Sequence, residues 1–329
     1  MFGAFPAVRL RRLRQAEWAR RLVRETRPTV DDLAWALVLH DGAAPRAPVA
    51  AMPGVDRLSI EAAVGEAERA RGLGISALAL FPNIAPAKKD RVGSEATNPR
   101  NLIAEAVRAI KAAVPEIGVM VDVALDPYTD HGHDGVLENG RILNDESVAR
   151  LVDQALVLAE AGADVIAPSD MMDGRIGAIR GALEAAGRRD TLILSYAAKY
   201  ASCFYGPYRE AVGTAAVLNG DKRTYQMDFG NREEALRECA LDVAEGADML
   251  MVKPGLAYLD IVQAVKARFG LPTLAFQVSG EYAMIKAAAA QGWMDERRAI
   301  LETLAAFKRA GADAVVTYFA PEAAELLSD

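Results

Sequence analysis

At 329 residues, with 52% hydrophobic, 25% charged and 6% aromatic side chains, the chain has the composition of a globular protein with ample core. That excludes disordered, fibrous and disulfide-stapled classes. A formal net charge of −7 argues against general nucleic-acid affinity, which needs a broad basic surface to displace counterions. Only Cys203 and Cys239 are present, too few for a zinc tetrad or a disulfide framework, so a reducing cytoplasm is expected. No apolar run approaches the ~20 residues that span a bilayer.

The first 32 residues are Arg-rich, with Arg9, Arg11, Arg12, Arg14, Arg20, Arg21, Arg24 and Arg27. An organellar transit peptide is also basic, but it is Ser-rich and this segment is not. The expectation is an arm that docks on a neighbouring subunit. From about residue 33 short apolar runs alternate with helical patterns, the signature of βα units and a parallel sheet. Eight runs are predicted as strands: 33–40, 75–81, 118–125, 163–169, 191–196, 248–254, 273–280 and 313–319. Amphipathic stretches between them, such as "NPRNLIAEAVRAIKAAV" and "MDERRAILETLAAFKRAG", open on Asn or Asp and close on Gly. Three end alike, in Gly162-Ala163-Asp164, Gly246-Ala247-Asp248 and Gly311-Ala312-Asp313. A repeated αβ junction with no Gly/Ser-rich linker favours one (β/α)8 TIM barrel over residues 33–329 rather than two doubly wound halves. Residues 200–230 are too long for a simple connection, and their Tyr, Arg, Lys and Gly content suits a lid over a pocket.

In such a barrel the chemistry sits where the strands end. The third strand ends near Asp122, the fourth at Ser169 and Asp170, and the fifth runs into Lys199. The sixth ends at Lys253, the seventh at Ser279 and the eighth at Tyr318. A lysine among apolar neighbours is partly desolvated and a second ammonium lowers its pKa further, leaving an amine that attacks carbonyls. Pro254 is expected to hold Lys253 extended and Gly255 to permit close approach. Taken singly, each lysine reads better as a snorkelling side chain; as a pair at strand ends of one barrel they read as reactive.

Four stretches, "LSYAAKYASCFYGPYREA" around Lys199, "DMLMVKPGLAYLDIV" around Lys253, "VIAPSDMMDGRI" and "QVSGEYAMI", closely resemble porphobilinogen synthase, the 5-aminolevulinate dehydratase family. The resemblance runs from about "RPTVDDLAWALVLHDG" to the end of the chain. It implies a TIM-barrel lyase that condenses two molecules of 5-aminolevulinate into porphobilinogen, the first pyrrole of the tetrapyrrole pathway. It further implies that Lys253 forms the Schiff base with the substrate that becomes the propionate side, and that Lys199 engages the second carbonyl. By the same resemblance Ser279 and Tyr318 bind the first carboxylate, and Arg209, Lys222 and Gln226 clamp the second. Asp122 and Tyr196 are expected to handle protons. The partner is thus a small molecule, and the assembly a homo-oligomer, hexamer or octamer.

"DVALDPYTDHGHDG", residues 122–135, would pass for a metal site on composition. Zinc-dependent members of the resembled family carry three cysteines in this loop, where this chain has Ala124, Asp126 and Asp134. The resemblance is therefore to the cysteine-free branch, with no catalytic zinc expected. An allosteric magnesium at Glu238, or no metal, is the remaining expectation. His131 and His133 either order the loop or transfer protons. The rival readings are a class I aldolase, for which a glycine-rich phosphate cup is missing, a metal-dependent hydrolase built on the Asp/His loop, and a catalytically dead scaffold.

Overall fold

The computed structural model describes residues 3–214, 217–218 and 220–328, so residues 215, 216 and 219 of the expected lid and residues 1, 2 and 329 lie outside it. All eight apolar runs form strands: β1 Leu33–His40, β2 Ala77–Asn83, β3 Gly118–Val123, β4 Val165–Pro168, β5 Leu192–Lys199, β6 Met249–Lys253, β7 Thr273–Gln277 and β8 Ala314–Thr317. Each pairs in parallel with its sequence neighbour, and β8 pairs back onto β1 (Leu33 opposite Val315, Trp35 opposite Thr317), which closes the barrel. The strands read as unbroken apolar runs because both faces are buried, one by the barrel interior and one by helices.

The helices are α1 Ile60–Gly72, α2 Leu102–Ala113, α3 Asn144–Glu160, α4 Arg175–Ala185, α5 Glu233–Ala244, α6 Leu259–Phe269, α7 Ser279–Ala290, α8 Glu296–Ala310 and α9 Ala320–Ser328. Asn101 and Asp295 cap α2 and α8 through side-chain bonds to the amides of Ala104 and Arg298. Asn144 does not cap α3; its amide instead exchanges two hydrogen bonds with the backbone of Asp173 and so fastens α3 to the loop after β4. Two features went unpredicted: a short ribbon, Arg46–Pro48 against Asp56–Leu58, added beside β1, and a hairpin, Val136–Glu138 with Arg141–Leu143, in the loop after β3.

The three Gly-Ala-Asp junctions do one job. Gly162, Gly246 and Gly311 turn the chain at φ of +103°, +101° and +108°, a region in which L side chains are strained. Each following Asp then grips the start of the preceding barrel strand: Asp164 accepts from the Val119 amide at 2.8 Å, Asp248 from Ile193 and Asp313 from Thr273, both at 2.7 Å. A cation on the adjoining helix or its end neutralises each, Lys111, Arg180 and Lys266 respectively. The repeat seals the bottom of the barrel.

The segment before β1 holds one turn of 3-10 helix (Leu10–Arg14) and a short helix (Glu17–Leu22), with Phe5, Leu10, Trp18 and Leu22 each at least 66% exposed. Among the described residues no helix is long and apolar enough to cross a membrane.

Asp313→Ala should strand the buried Thr273 amide and cost about 1.5–3 kcal/mol, read as a lower urea midpoint. Asp313→Asn, which keeps an acceptor, should cost less, and equal losses would contradict the assigned bond.

Candidate active site

The barrel's upper end gathers Lys199 and Lys253 into one cavity, also lined by Asp126, Asp134, Ser169, Tyr205, Tyr208, Arg209, Lys222 and Gln226. Their meeting depends on an irregularity. Leu250 lies opposite Ser195, and continuing that register would set Lys253 opposite Ala198. An extra residue in β5 shifts the pairing, so that Val252 faces Ala198 and Lys253 faces Lys199. Residues directly opposite on adjacent strands point to the same side of a sheet, and a bulge of one residue exchanges sides. Both lysines are buried, at 4% and 5% exposure.

Their surroundings differ. The Lys199 ammonium donates to the Ser169 carbonyl oxygen and lies 3.5 Å from Asp134 Oδ1. Lys253 Nζ has no ion-pair partner among the described residues and stands inside a box of rings: Phe276 at 4.5 Å to the centroid, Tyr196 and Tyr208 at 5.1 Å, Tyr205 at 5.6 Å and Phe81 at 5.8 Å. The ring faces attract a cation weakly. Burial and then the Lys199 ammonium outweigh that attraction, and the Lys253 amine is brought down to about 7. Asp122, buried within β3, is pushed up to about 6 by burial, against the pull of Lys253. Burial raises Tyr196 well above the ordinary phenol range, so its hydroxyl keeps its proton at neutral pH.

The Lys253–Pro254 bond is cis. Gly255 permits close approach as expected, though by the chain itself: a Cβ there would lie 2.6 Å from Phe307 Cε1 and 2.9 Å from the Phe276 oxygen.

The Asp/His loop holds a cation of the chain's own. Lys222 Nζ lies 3.0 Å from Asp126 Oδ2 and 2.9 Å from Asp134 Oδ2, all three groups buried. Burial works against the Lys222 charge, but Asp126 and Asp134 outweigh it and raise its pKa. Asp134 is likewise held below the usual carboxylate range, where burial is overcome by Lys199 and Lys222. Zinc does not fit here: Ala124 offers no donor and a dication would have to displace the ammonium. Among the described residues no three acid, imidazole or thiol groups gather as metal ligands. His131 and His133 order the loop. The His133 amide donates to His131 Nδ1, His131 Nε2 bonds the Arg91 carbonyl, and His133 Nδ1 bonds Tyr225 Oη on the lid.

Arg209, on a short helix of the lid (Gly206–Ala211), is half-buried and forms no ion pair among the described residues. The Gln226 amide oxygen is buried with no partner among the described residues, an open hydrogen-bonding position in the lining of the lysine cavity. Four other expected residues stand outside the cavity lining: Asp122, Tyr196, Ser279 and Tyr318. Ser279 opens α7 beneath the lid, its Oγ accepting from the Tyr208 amide at 2.8 Å and donating to the Phe204 oxygen at 3.3 Å. Tyr318 follows β8 in the turn to α9, with its buried hydroxyl unpartnered among the described residues and its ring 6.2 Å from Phe276. Glu238, half-buried in α5, lines a cleft of about 790 Å³ that shares Gln226 with the lysine cavity but neither lysine. Burial and then Asp242 raise its pKa, and Arg175 opposes them. Sequence reasoning missed the ring box. Its signals were aromatic residues in β2, β5 and β7 and the tyrosines of the lid.

The free volume of the lysine cavity is about 20 Å³, room for about one water molecule and nothing much larger. The lid is therefore shut. It is fastened by Lys222, by Tyr225 and Ser279, and by Arg57, which donates to the carbonyl oxygens of Glu210 and Ala211, each at 2.7 Å.

The model of the delta-aminolevulinic acid dehydratase family matches residues 7–326. The chain belongs to that family. It is 64% identical over 321 residues to the delta-aminolevulinic acid dehydratase of Bradyrhizobium diazoefficiens, covering 98% of this chain and 91% of the relative. It is 53% identical to that of Rhodobacter capsulatus, covering 98% and 97%. The crystal structure of the Toxoplasma gondii enzyme, in complex with its reaction product porphobilinogen, superposes with a TM-score of 0.95 at 48% identity, covering 97% of this chain and 91% of that one. As a delta-aminolevulinic acid dehydratase family member, the chain is a lyase, and its barrel is the family's barrel.

Lys222→Ala should leave buried Asp126 without its cation and Asp134 with only Lys199, and cost about 3–5 kcal/mol, measured by urea unfolding at pH 7. The deficit should narrow as pH falls, because the stranded carboxylates take up protons. A deficit independent of pH would contradict the pairing.

Proposed function

We propose that this enzyme condenses two molecules of 5-aminolevulinate into porphobilinogen with loss of two waters, through Schiff bases on Lys253 and Lys199. The observation that carries this reading is an amine near neutrality beside a second amine in one closed cavity. The lone pair of Lys253 Nζ attacks the ketone carbon of one substrate, the former carbonyl oxygen leaves as water, and an iminium remains. Tyr196, which keeps its proton and whose ring lies 5.1 Å from Lys253 Nζ, is assigned as the donor to that departing oxygen. Asp122, near 6, is ionised at neutral pH and takes protons. Lys199, fixed by Ser169 and Asp134, engages the second ketone, and lid closure excludes water that would hydrolyse the imines.

Two keto acids bring two carboxylates. Arg209, with no ion pair among the described residues, and the open amide of Gln226 suit one, with Lys222 behind them shared with Asp126 and Asp134. Tyr318 and Ser279 are assigned to the other, for which Ser279 must exchange its bonds to the lid backbone. The first 32 residues are read as an arm, whose exposed apolar side chains and arginines are suited to burial on a neighbouring subunit in a hexamer or octamer. Two unpaired cysteines favour the cytoplasm. Magnesium keeps most of its waters and needs only one or two carboxylates, so Glu238 in its polar cleft is the residue that would hold it, away from the reacting atoms.

Incubation with 5-aminolevulinate, borohydride reduction and peptide mapping should place substrate mass on Lys253 and Lys199, undiminished by chelator. Label on neither lysine overturns the reading. The profile of kcat/KM should rise as pH increases through about 7, since the attacking amine is the deprotonated form; a profile flat from pH 5 to 9 would contradict it.

A further inference from the structure

The mechanism leaves unused a buried carboxylate that has no cation to justify it. Glu281, on the first turn of α7, is 1% exposed and forms no ion pair among the described residues. Both its oxygens accept from backbone. Oε2 takes the Val278 amide at 2.8 Å, and Oε1 takes the amides of Leu256 at 2.7 Å and Ala257 at 3.3 Å. Burial pushes the carboxyl up to about 7 against the pull of these amides. The titratable side chains that feel its charge are the phenols of Tyr205 and Tyr258.

Leu256 and Ala257 are the third and fourth residues after Lys253, and they begin the turn into α6. Glu281 thus binds the turn behind the reactive lysine to the β7–α7 junction. Two residues earlier in that junction, Ser279 holds the lid backbone at Phe204 and Tyr208, and Tyr205 and Tyr208 form part of the box around Lys253 Nζ. One short segment, 278–281, therefore fixes both the stem of Lys253 and the lid face that surrounds its amine. Lys199 is fixed elsewhere, by Ser169 and Asp134.

We propose that Glu281 is a positioning residue that sets the reactivity of Lys253, and not of Lys199, by clamping the turn after Lys253 to the junction that anchors the lid. The proposal rests on the Schiff-base reading above. A glutamine of the same shape is a poor substitute, because its amide nitrogen would meet a backbone N–H with another donor. A displacement of the order of an ångström at a reacting atom is sufficient for a large loss of rate.

The test is Glu281→Gln in the full chain, trapped with 5-aminolevulinate and borohydride over a time course, with label at each lysine quantified by peptide mass. Labelling of Lys253 should slow about 10- to 100-fold while labelling of Lys199 changes far less. Ile285→Ala, which opens a cavity one turn further along α7, should lower the melting temperature while leaving the ratio of the two labels as in wild type. Should Glu281→Gln not fold, Glu281→Asp, with both acceptors on a shorter stem, should shift the same ratio less. Equal slowing at both lysines, or an unchanged Lys253 rate in a folded variant, overturns the assignment. Wild type labelled at neither lysine would instead overturn the Schiff-base reading, so the two failures are separable.

Discussion

Two ammonium groups repel each other, and burying both in one cavity is costly unless one gives up its proton. The site is organised around how that cost is divided. A bulge in β5 forces Lys199 and Lys253 to the same side of the sheet. A carbonyl oxygen and a carboxylate are supplied to Lys199, while Lys253 receives only ring faces and the more distant charge of Asp122. The asymmetry decides which nitrogen carries the free lone pair. Given the bulge, the rest of the arrangement follows: the ring box that dries Lys253, the lid that contributes two of those rings, and the junction that holds lid and lysine together.

The loop after β3 shows a related economy. Asp126 and Asp134 enclose the Lys222 ammonium, which is carried on the lid. A positive charge on the lid is thereby held at the site, and it neutralises Asp126 and, together with Lys199, Asp134. His133 and Tyr225 add a neutral hydrogen bond to that closure. The outer cleft containing Glu238 shares His133, Tyr225 and Gln226 with this closure, but neither Lys199 nor Lys253 lines it.

Much of this architecture is legible in the sequence, for a physical reason. Strands buried on both faces must be continuous apolar runs, so all eight appear, and a lysine closing such a run is conspicuous. The Gly-Ala-Asp repeat shows as a pattern, although its purpose, an aspartate gripping the amide of the strand beside it, emerges only from the three-dimensional pairing. The bulge leaves no mark, since "LSYAAKY" reads the same in either register. Phe81 and Phe276 look like ordinary core residues until the barrel aims them at one nitrogen. Lys222 reads as a lone cation on a loop because its two partners lie some ninety residues away in the chain. Ser279 is legible as a hydroxyl at a strand end, but its bonds to the lid backbone are not. Composition of the 122–135 loop suggests metal ligands, and only the approach of the lid shows a lysine in that place.

The account depends on the Lys253 amine being largely unprotonated at neutral pH because of burial and its neighbour. Competitive labelling of the folded enzyme with an amine-reactive reagent across pH, quantified on the Lys253 peptide, measures this directly. The account predicts an apparent pKa of about 7 that rises when Lys199 is replaced by Met. A wild-type value near the ~10.4 of a free lysine, or one unmoved by that replacement, would contradict it.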